Sequence, residues 1–328
     1  MIKHLRVPVS NAQEAKSHIE SLNAMNTDFL PIKEEGFILW PLKFDISGDV
    51  VKRNGHPSSR KSRDYRRLLP EKIRNKAPRA YDVFGEIAII KLPQDLFNYT
   101  EVISNSLLAA NSNISKVAVD MGVEGKYRVR RLKLIAGEPG FVSTHKENGL
   151  IFQLDISKVY FSPRLAMERN RISQMVSSSE QILDAFAGAA PFSVTLAHRG
   201  CIVTSIDSNP EAKIWGEKNF KLNNVKEDNY KFISSEIESA VDSLGTFDRI
   251  IMNHPTQSLK YLDYLLPLLR EEGVIHLYTM ADKSNILEKE SFFKSKFKEV
   301  RHRIVHPYSS SISLVVFDMF RQVLMSKA

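Results

Sequence analysis

One cysteine stands in the 328 residues. A lone Cys201 excludes an intramolecular disulfide framework and a cysteine-rich zinc site, so no metal is expected and the compartment reads as a reducing cytoplasm. No run of about 18 consecutive apolar residues occurs, which leaves no candidate transmembrane helix. The opening MIKHLRVPVSNAQEAKSHIESL is punctuated by charge and has no apolar signal-peptide run. No internal repeat is visible. What is there is ordinary globular material, 43% hydrophobic and 26% charged, enough to bury a sizeable core. The length suggests two domains, or three if one is small.

The formal charge of +8 is concentrated. Residues 1–50 are net −2, residues 51–171 net +11, and residues 172–328 net −1. The peak runs from Lys52 to Arg79, with eleven Lys or Arg against Asp64 and Glu71. A solvated linker would read the same way. Tyr65 interrupts the run, however, and RVRRLK at Arg128–Lys133 adds a second basic segment. Two such segments favour a polyanion, nucleic acid, through Arg60, Lys61, Arg63, Arg66 and Arg67 and through Arg128, Arg130 and Arg131.

Residues 1–44 read as a small unit: a strand at His4–Val9, a helix from a Ser10–Gln13 capping box to about Leu22, and a strand at Phe37–Leu42. Residues 45–80 read as a basic linker or arm. Residues 81–178 read as α+β, with strands at Tyr81–Leu92, Lys116–Asp120, Tyr127–Ala136 and Phe141–Phe161. Helices are expected at Asp95–Asn111 and from Ser162 to about Val176. From 179 to 328, short apolar strands alternate with amphipathic helices, one of them spanning Ser258–Arg270, and two β-rich stretches close the chain. That pattern is a doubly wound α/β domain with a terminal hairpin.

LDAFAGAAPF (Leu183–Phe192) is a strand, a small-residue turn and a helix start, where unpaired N–H groups meet a ligand. Asp207 ends the next strand, 23 residues after Asp184, a spacing suited to the two hydroxyls of a ribose. The turn lacks G-x-G-x-x-G and no Walker lysine is present, which disfavours NAD and a P-loop nucleotide. Asp-Ala-Phe-Ala-Gly is instead a pattern of S-adenosyl-L-methionine sites, although a tight βα turn in any α/β domain can look alike. Asn253, His254 and Pro255 end the fourth strand, at the sheet edge where ligands sit. An Asn amide there can read a base edge; a strand simply ending at Asn-His-Pro is the plain alternative. Arg164 and Glu168 are spaced as an i,i+4 ion pair.

YDVFGEIAII, GKYRVRRLKLIAGE, THKENG with VYFSPRL-x-x-ER, DAFAGAAPF, IDSNPEA and IMNHP together resemble one family. It is the archaeal and eukaryotic tRNA (guanine-37)-N1-methyltransferases, class I S-adenosylmethionine enzymes; residues 1–44 resemble the small N-terminal domain of the archaeal form. The resemblance implies a small domain at the tRNA outer corner, and a middle and a methyltransferase domain gripping the anticodon stem-loop. It also implies a cofactor pocket of Tyr160, Arg164, Asp184, Phe186, Gly188, Asp207 and Asn253. Glu168 would be the general base, and Asn253 with Pro255 would hold the guanine. Guanine N1 needs its proton removed before it is nucleophilic, and a carboxylate facing the pocket can take it. The chain departs from the family pattern at Ala190, Gly140, His254 and Thr256, and the Ala190 methyl is expected to crowd the methionyl part of the cofactor. Two alternatives stand beside this reading: a wyosine-pathway relative acting on the same nucleoside, and a tRNA-binding paralogue with a weakened site. No obligate protein partner is evident.

Overall fold

A computed structural model describes residues 1–57, 64–127, 129–309 and 311–321. It forms two compact units, Met1–Arg79 with Gln94–Asn113, and Ala80–Pro93 with Ile114–Ala328. The expected segments 1–44 and 45–80, all but Ala80, thus share one unit, while the expected 81–178 region is divided between the two.

The first unit contains β1 (Ile2–Pro8), α1 (Ala12–Ser21), β2 (Phe29–Leu30), β3 (Ile32–Glu34), β4 (Phe37–Pro41), β5 (Val50–Arg53) and β6 (His56–Pro57). Helices α2 (Glu71–Arg74) and α3 (Thr100–Ala110) follow. Strands β3-β4-β1-β5 make an antiparallel sheet. The capping box does not form: Ser10 bonds to the Asn11 side chain, and α1 begins after a 3-10 turn. The stretch expected as a linker carries structure. Val50 and Val51 pair with Leu5 and His4. Tyr65, Leu69, Ile73 and Ala77 are buried at every fourth position, an apolar stripe thinly spread through basic residues.

In the second unit, β7 (Asp82–Phe84), β8 (Ile87–Ile90), β9 (Lys116–Glu124) and β10 (Val129–Ala136) form a sheet in the order β10-β9-β8-β7. Next come β11 (Val142–Glu147) and β12 (Leu150–Asp155), a hairpin turned by Asn148 and Gly149. Their φ values of 49° and 82° are what a two-residue hairpin turn requires. A 3-10 turn beginning at Pro163 leads into α4 (Ala166–Ser173), shorter than expected.

The remainder runs β13 (Gln181–Asp184), α5 (Pro191–His198), β14 (Ile202–Asp207), α6 (Pro210–Leu222), β15 (Tyr230–Ser234), α7 (Ile237–Ala240) and β16 (Phe247–Met252). It continues through α8 (Ser258–Leu265), β17 (Leu269–Asp282), α9 (Lys283–Lys294), β18 (Glu299–Pro307) and β19 (Ile312–Phe320). The sheet order is β15-β14-β13-β16-β17-β19-β18, parallel except for β19, which is antiparallel to both neighbours. Successive strand residues serve opposite cores: Ile182, Ile251, Tyr278 and Val316 on one face, Leu183, Ile250, Leu277 and Phe317 on the other. Both faces being covered explains the continuous apolar runs. The helix expected over Ser258–Arg270 stops at Leu265, because Pro267 cannot continue it and Leu269 already begins β17. The strand order reverses between β13 and β16, so a ligand crevice belongs beyond their carboxyl ends.

Candidate functional site

Asp184, Asp207 and Asn253 come to this edge from β13, β14 and the residue after β16. Asp207 Oδ2 accepts the Gly188 N–H at 2.8 Å, and its Oδ1 accepts the Asn209 N–H at 2.9 Å. The carboxylate thus fixes the β13–α5 turn and keeps lone pairs for further donors. Burial raises its pKa. Gly188 has φ of 53°, and a β-carbon there would stand 2.9 Å from the Tyr160 carbonyl oxygen, so the chain requires glycine. Tyr160 itself is 41% exposed.

Asp184 is 1% exposed. Its Oδ2 accepts the Ser193 hydroxyl at 2.7 Å, and Ser205 lies 2.8 Å beyond, a polar thread into the first turn of α5. Burial pushes the Asp184 carboxyl up to about 7. Its Oδ1 has no hydrogen-bond partner among the described residues. Ala190 adopts φ of 63° at the start of α5 and is fully buried. A β-carbon placed on Gly216 of α6 would stand 3.3 Å from the Ala190 methyl. That methyl is therefore turned into the core between α5 and α6, where Gly216 leaves room.

The turn after β16 is rigid. Ser258 Oγ lies 2.8 Å from the Met252 carbonyl and accepts the His254 N–H at 3.1 Å, and the Met280 N–H donates to the Pro255 carbonyl at 3.1 Å. The rings of Phe186 and His254 meet edge-on at 5.2 Å, joining the two ligand-edge turns. Asn253 Oδ1 is buried and has no hydrogen-bond partner among the described residues.

Glu168 and Arg164 do not pair. Arg164 Nε bonds Asp82 Oδ1 at 2.6 Å, and its Nη1 lies 3.0 Å from His306 Nε2. Asp82 also accepts from Arg130 at 3.2 Å, so one carboxylate serves two of the expected functional arginines. Glu168 is 3% exposed and takes Arg171 as its ion-pair partner, at 2.6 and 2.9 Å, with the Tyr278 hydroxyl at 2.9 Å. The neighbouring Arg169 is fully buried, held by both oxygens of Glu147.

Arg66 pairs with Asp64 at 2.7 Å and Arg67 with Asp28 at 3.1 Å. Arg131 is exposed and lies 3.9 Å from Glu124. Arg60, Lys61, Arg63 and Arg128 lie outside the described residues. Cys201 is a buried free thiol, pushed up to about 11 by burial. No helix among the described residues is long and apolar enough to cross a membrane. Sequence reasoning missed Asp82, Arg171, His276, Tyr278 and Asp318. The signal available was a His and an Asp inside the apolar runs VIHLYT and VVFDM, since such groups are buried only with partners.

Comparison with known proteins adds the family. The TRM5/TYW2 methyltransferase domain matches residues 143–320, and the TYW2 N-terminal domain matches residues 65–140. The tRNA (guanine(37)-N(1))-methyltransferase Trm5b of Pyrococcus abyssi is 33% identical, over 93% of this chain and 94% of its own length. The chain belongs to the TRM5/TYW2 methyltransferase family. The Trm5b of Methanocaldococcus jannaschii is 28% identical over 96% of this chain and 97% of its own. Among solved structures, Pyrococcus abyssi Trm5b superposes with a TM-score of 0.72 at 32% identity, covering 98% of this chain and 99% of that one. A complex of aTrm5 with tRNALeu reaches 0.71 at 27%, covering 97% and 99%. The doubly wound class I fold of the TRM5/TYW2 enzymes is thus the fold of this chain.

Proposed function

We propose that this chain methylates N1 of guanine 37 in tRNA, drawing the methyl group from S-adenosyl-L-methionine in the cytoplasm. The observation that carries the reading is Asn253, whose side-chain oxygen is buried and unpartnered at the carboxyl end of β16. Such an oxygen accepts from an N–H donor, and the Watson–Crick edge of guanine offers donors at N1 and N2. Pro255, tied to β17 through its carbonyl, keeps that turn from yielding. The relatives that span nearly the whole chain carry this activity in their names.

The donor set suits the cofactor. Asp207 keeps acceptor capacity for ribose hydroxyls, Gly188 lets the β13–α5 turn pack against the Tyr160 carbonyl, and Asp184 Oδ1 is an unpartnered acceptor beside that turn. S-adenosylmethionine, when bound, supplies a methyl group on a positively charged sulfur. The chain's own residues do the rest: Phe186 and Tyr160 wall the pocket, Arg164 orients its rim, Asn253 and Pro255 hold the base, and Glu168 takes the N1 proton. The base has to leave the anticodon stack to be reached, so the loop is read unstacked. The anticodon stem-loop falls to the second unit and the tRNA outer corner to residues 1–44.

The match of residues 65–140 to a TYW2 N-terminal domain favours a second reading, aminocarboxypropyl transfer from the same cofactor. One assay separates them. Purified protein is incubated with a guanine-37 tRNA transcript and S-adenosylmethionine, and the digested nucleosides are weighed by mass spectrometry. The expected product is 1-methylguanosine. An aminocarboxypropyl adduct, or unmodified guanosine, overturns the proposal.

A further inference from the structure

Glu168 sits at one end of a continuous, largely buried chain of polar contacts drawn chiefly from four elements. Its Oε1 accepts the Tyr278 hydroxyl at 2.9 Å and Arg171 Nη2 at 2.6 Å, and its Oε2 accepts Arg171 Nε at 2.9 Å. The same guanidinium donates from Nη1 to Asp318 Oδ2 at 2.7 Å and from Nη2 to Oδ1 at 3.1 Å. Asp318 Oδ1 lies 2.5 Å from His276 Nδ1, and His276 Nε2 lies 2.6 Å from Arg249 Nη1. Arg249 ends the chain on Glu180 at 2.9 Å. Helix α4 supplies Glu168 and Arg171, β16 Arg249, β17 His276 and Tyr278, and β19 Asp318. The packed α5 adds the Phe192 ring, 5.7 Å from that of Tyr278.

Donor logic fixes the protons. Arg249 can only donate, so His276 Nε2 accepts, the ring is neutral, and its single proton lies on Nδ1 facing Asp318. Burial lowers His276, in keeping with a neutral ring. Burial would raise Asp318, but His276 and Arg171 overrule it and hold the carboxyl well below its usual range. Burial would likewise lower Arg171, and the two carboxylates reverse that. The three carboxylates Glu168, Asp318 and Glu180 therefore face two guanidiniums. Arg171 is shared between Glu168 and Asp318, Arg249 serves Glu180, and Glu168 has in addition the Tyr278 hydroxyl.

We propose that Tyr278, Arg171 and Asp318 are positioning residues for Glu168, with Asp318 acting through Arg171. The inference rests on Glu168 being the base for guanine N1. The Tyr278 hydroxyl meets Oε1 from β17 and the Arg171 fork spans both oxygens from α4, so the carboxylate is held in one rotamer. Asp318 grips the other side of the same guanidinium from β19 and fixes it in turn.

The test is the rate of single-turnover methyl transfer, at saturating tRNA and cofactor, with thermal melting as the check on folding. Glu168→Gln is expected to slow the step about 10²–10⁴-fold. Tyr278→Phe keeps the buried ring, and is expected to slow the step about tenfold, the scale of one lost hydrogen bond, with the affinities for tRNA and cofactor unchanged. Asp318→Asn is expected to do the same, and neither should slow Glu168→Gln further. Losses that vanish in the Glu168→Gln background support the inference. Rates within about threefold of wild type in folded variants, or losses that persist in the Glu168→Gln background, overturn it and leave Glu168 as the base. If Asp318→Asn does not fold, Tyr278→Phe decides alone. A Glu168→Gln rate within about threefold of wild type would remove the base itself, far below the general-base range.

Discussion

Arg164 and Asp82 meet at 2.6 Å although 82 residues separate them, and Arg130 leans on the same carboxylate. Two arginines that sequence assigns to different tasks, one to the cofactor pocket and one to RNA, are thereby held by a single side chain. Asp82→Asn should cost roughly 1–3 kcal/mol, the range for hydrogen bonds to charged groups. Denaturant unfolding reads it directly, and an unchanged midpoint would show that the cluster does not hold β7 to the Arg164 turn.

Asp207 ties the turn after β13 to the end of β14 through the Gly188 amide. Asp207→Ala should therefore weaken S-adenosylmethionine binding by roughly 1–3 kcal/mol, through missing acceptors and a loosened turn together. Isothermal titration checks this. An affinity equal to wild type would reduce Asp207 to a backbone brace.

The pH dependence of stability should carry the mark of Asp184, raised by burial to about 7 from an ordinary 3.8. The folded chain then holds a proton that the unfolded chain releases. Its contribution is full below about pH 4 and is lost as pH rises through about 7, at no more than about 1.4 kcal/mol per unit. Asp184→Asn has no such proton to lose. Its melting temperature relative to wild type should climb across that window and level off above it; a constant difference would mean that the carboxyl titrates normally.

Replacing Arg60, Lys61, Arg63, Arg66 and Arg67 together by glutamine should weaken tRNA binding. The log–log salt slope should fall by about 0.7–0.9 for every phosphate that is no longer neutralised. Arg66 and Arg67 already face Asp64 and Asp28, so changing only those two should move the slope by less than about one. Filter binding at several salt concentrations measures both, and an unaltered slope for the fivefold variant would assign RNA binding to other residues.

The α/β half of the fold was open to reading because its strands are covered on both faces. Ile182–Leu183, Ile250–Ile251 and Leu277–Tyr278 are uninterrupted apolar pairs, and Asn148-Gly149 can hardly be anything but a turn. Residues 45–80 resisted reading for the converse reason. Tyr65, Leu69, Ile73 and Ala77 form a stripe one residue wide, which charge counting hides. In the candidate site, Asp184, Asp207 and Asn253 stand out in the sequence because each ends or follows a strand, whereas Glu168 comes only from the family resemblance. Spacing also suggested the wrong partner for Glu168. The i,i+4 rule assumes that both residues are helical, but Arg164 lies in the 3-10 turn before α4 and is held by Asp82, while Arg171 is on α4 and is anchored by Asp318 on β19, 147 residues away.

That strand has a consequence for the order in which the molecule can be made. β19 lies between β17 and β18, so when synthesis has just completed β18, that strand has no sheet neighbour and the rim of β17 is open. An open β17 rim presents unpaired backbone groups and apolar side chains, the condition in which a nascent chain needs shielding. Arg171 has at that moment only one of its two carboxylates. Threading of β19 closes the sheet and gives Arg171 its second carboxylate in the same event, so a chain halted before Asp318 would be poorly soluble and would leave Arg171 half paired.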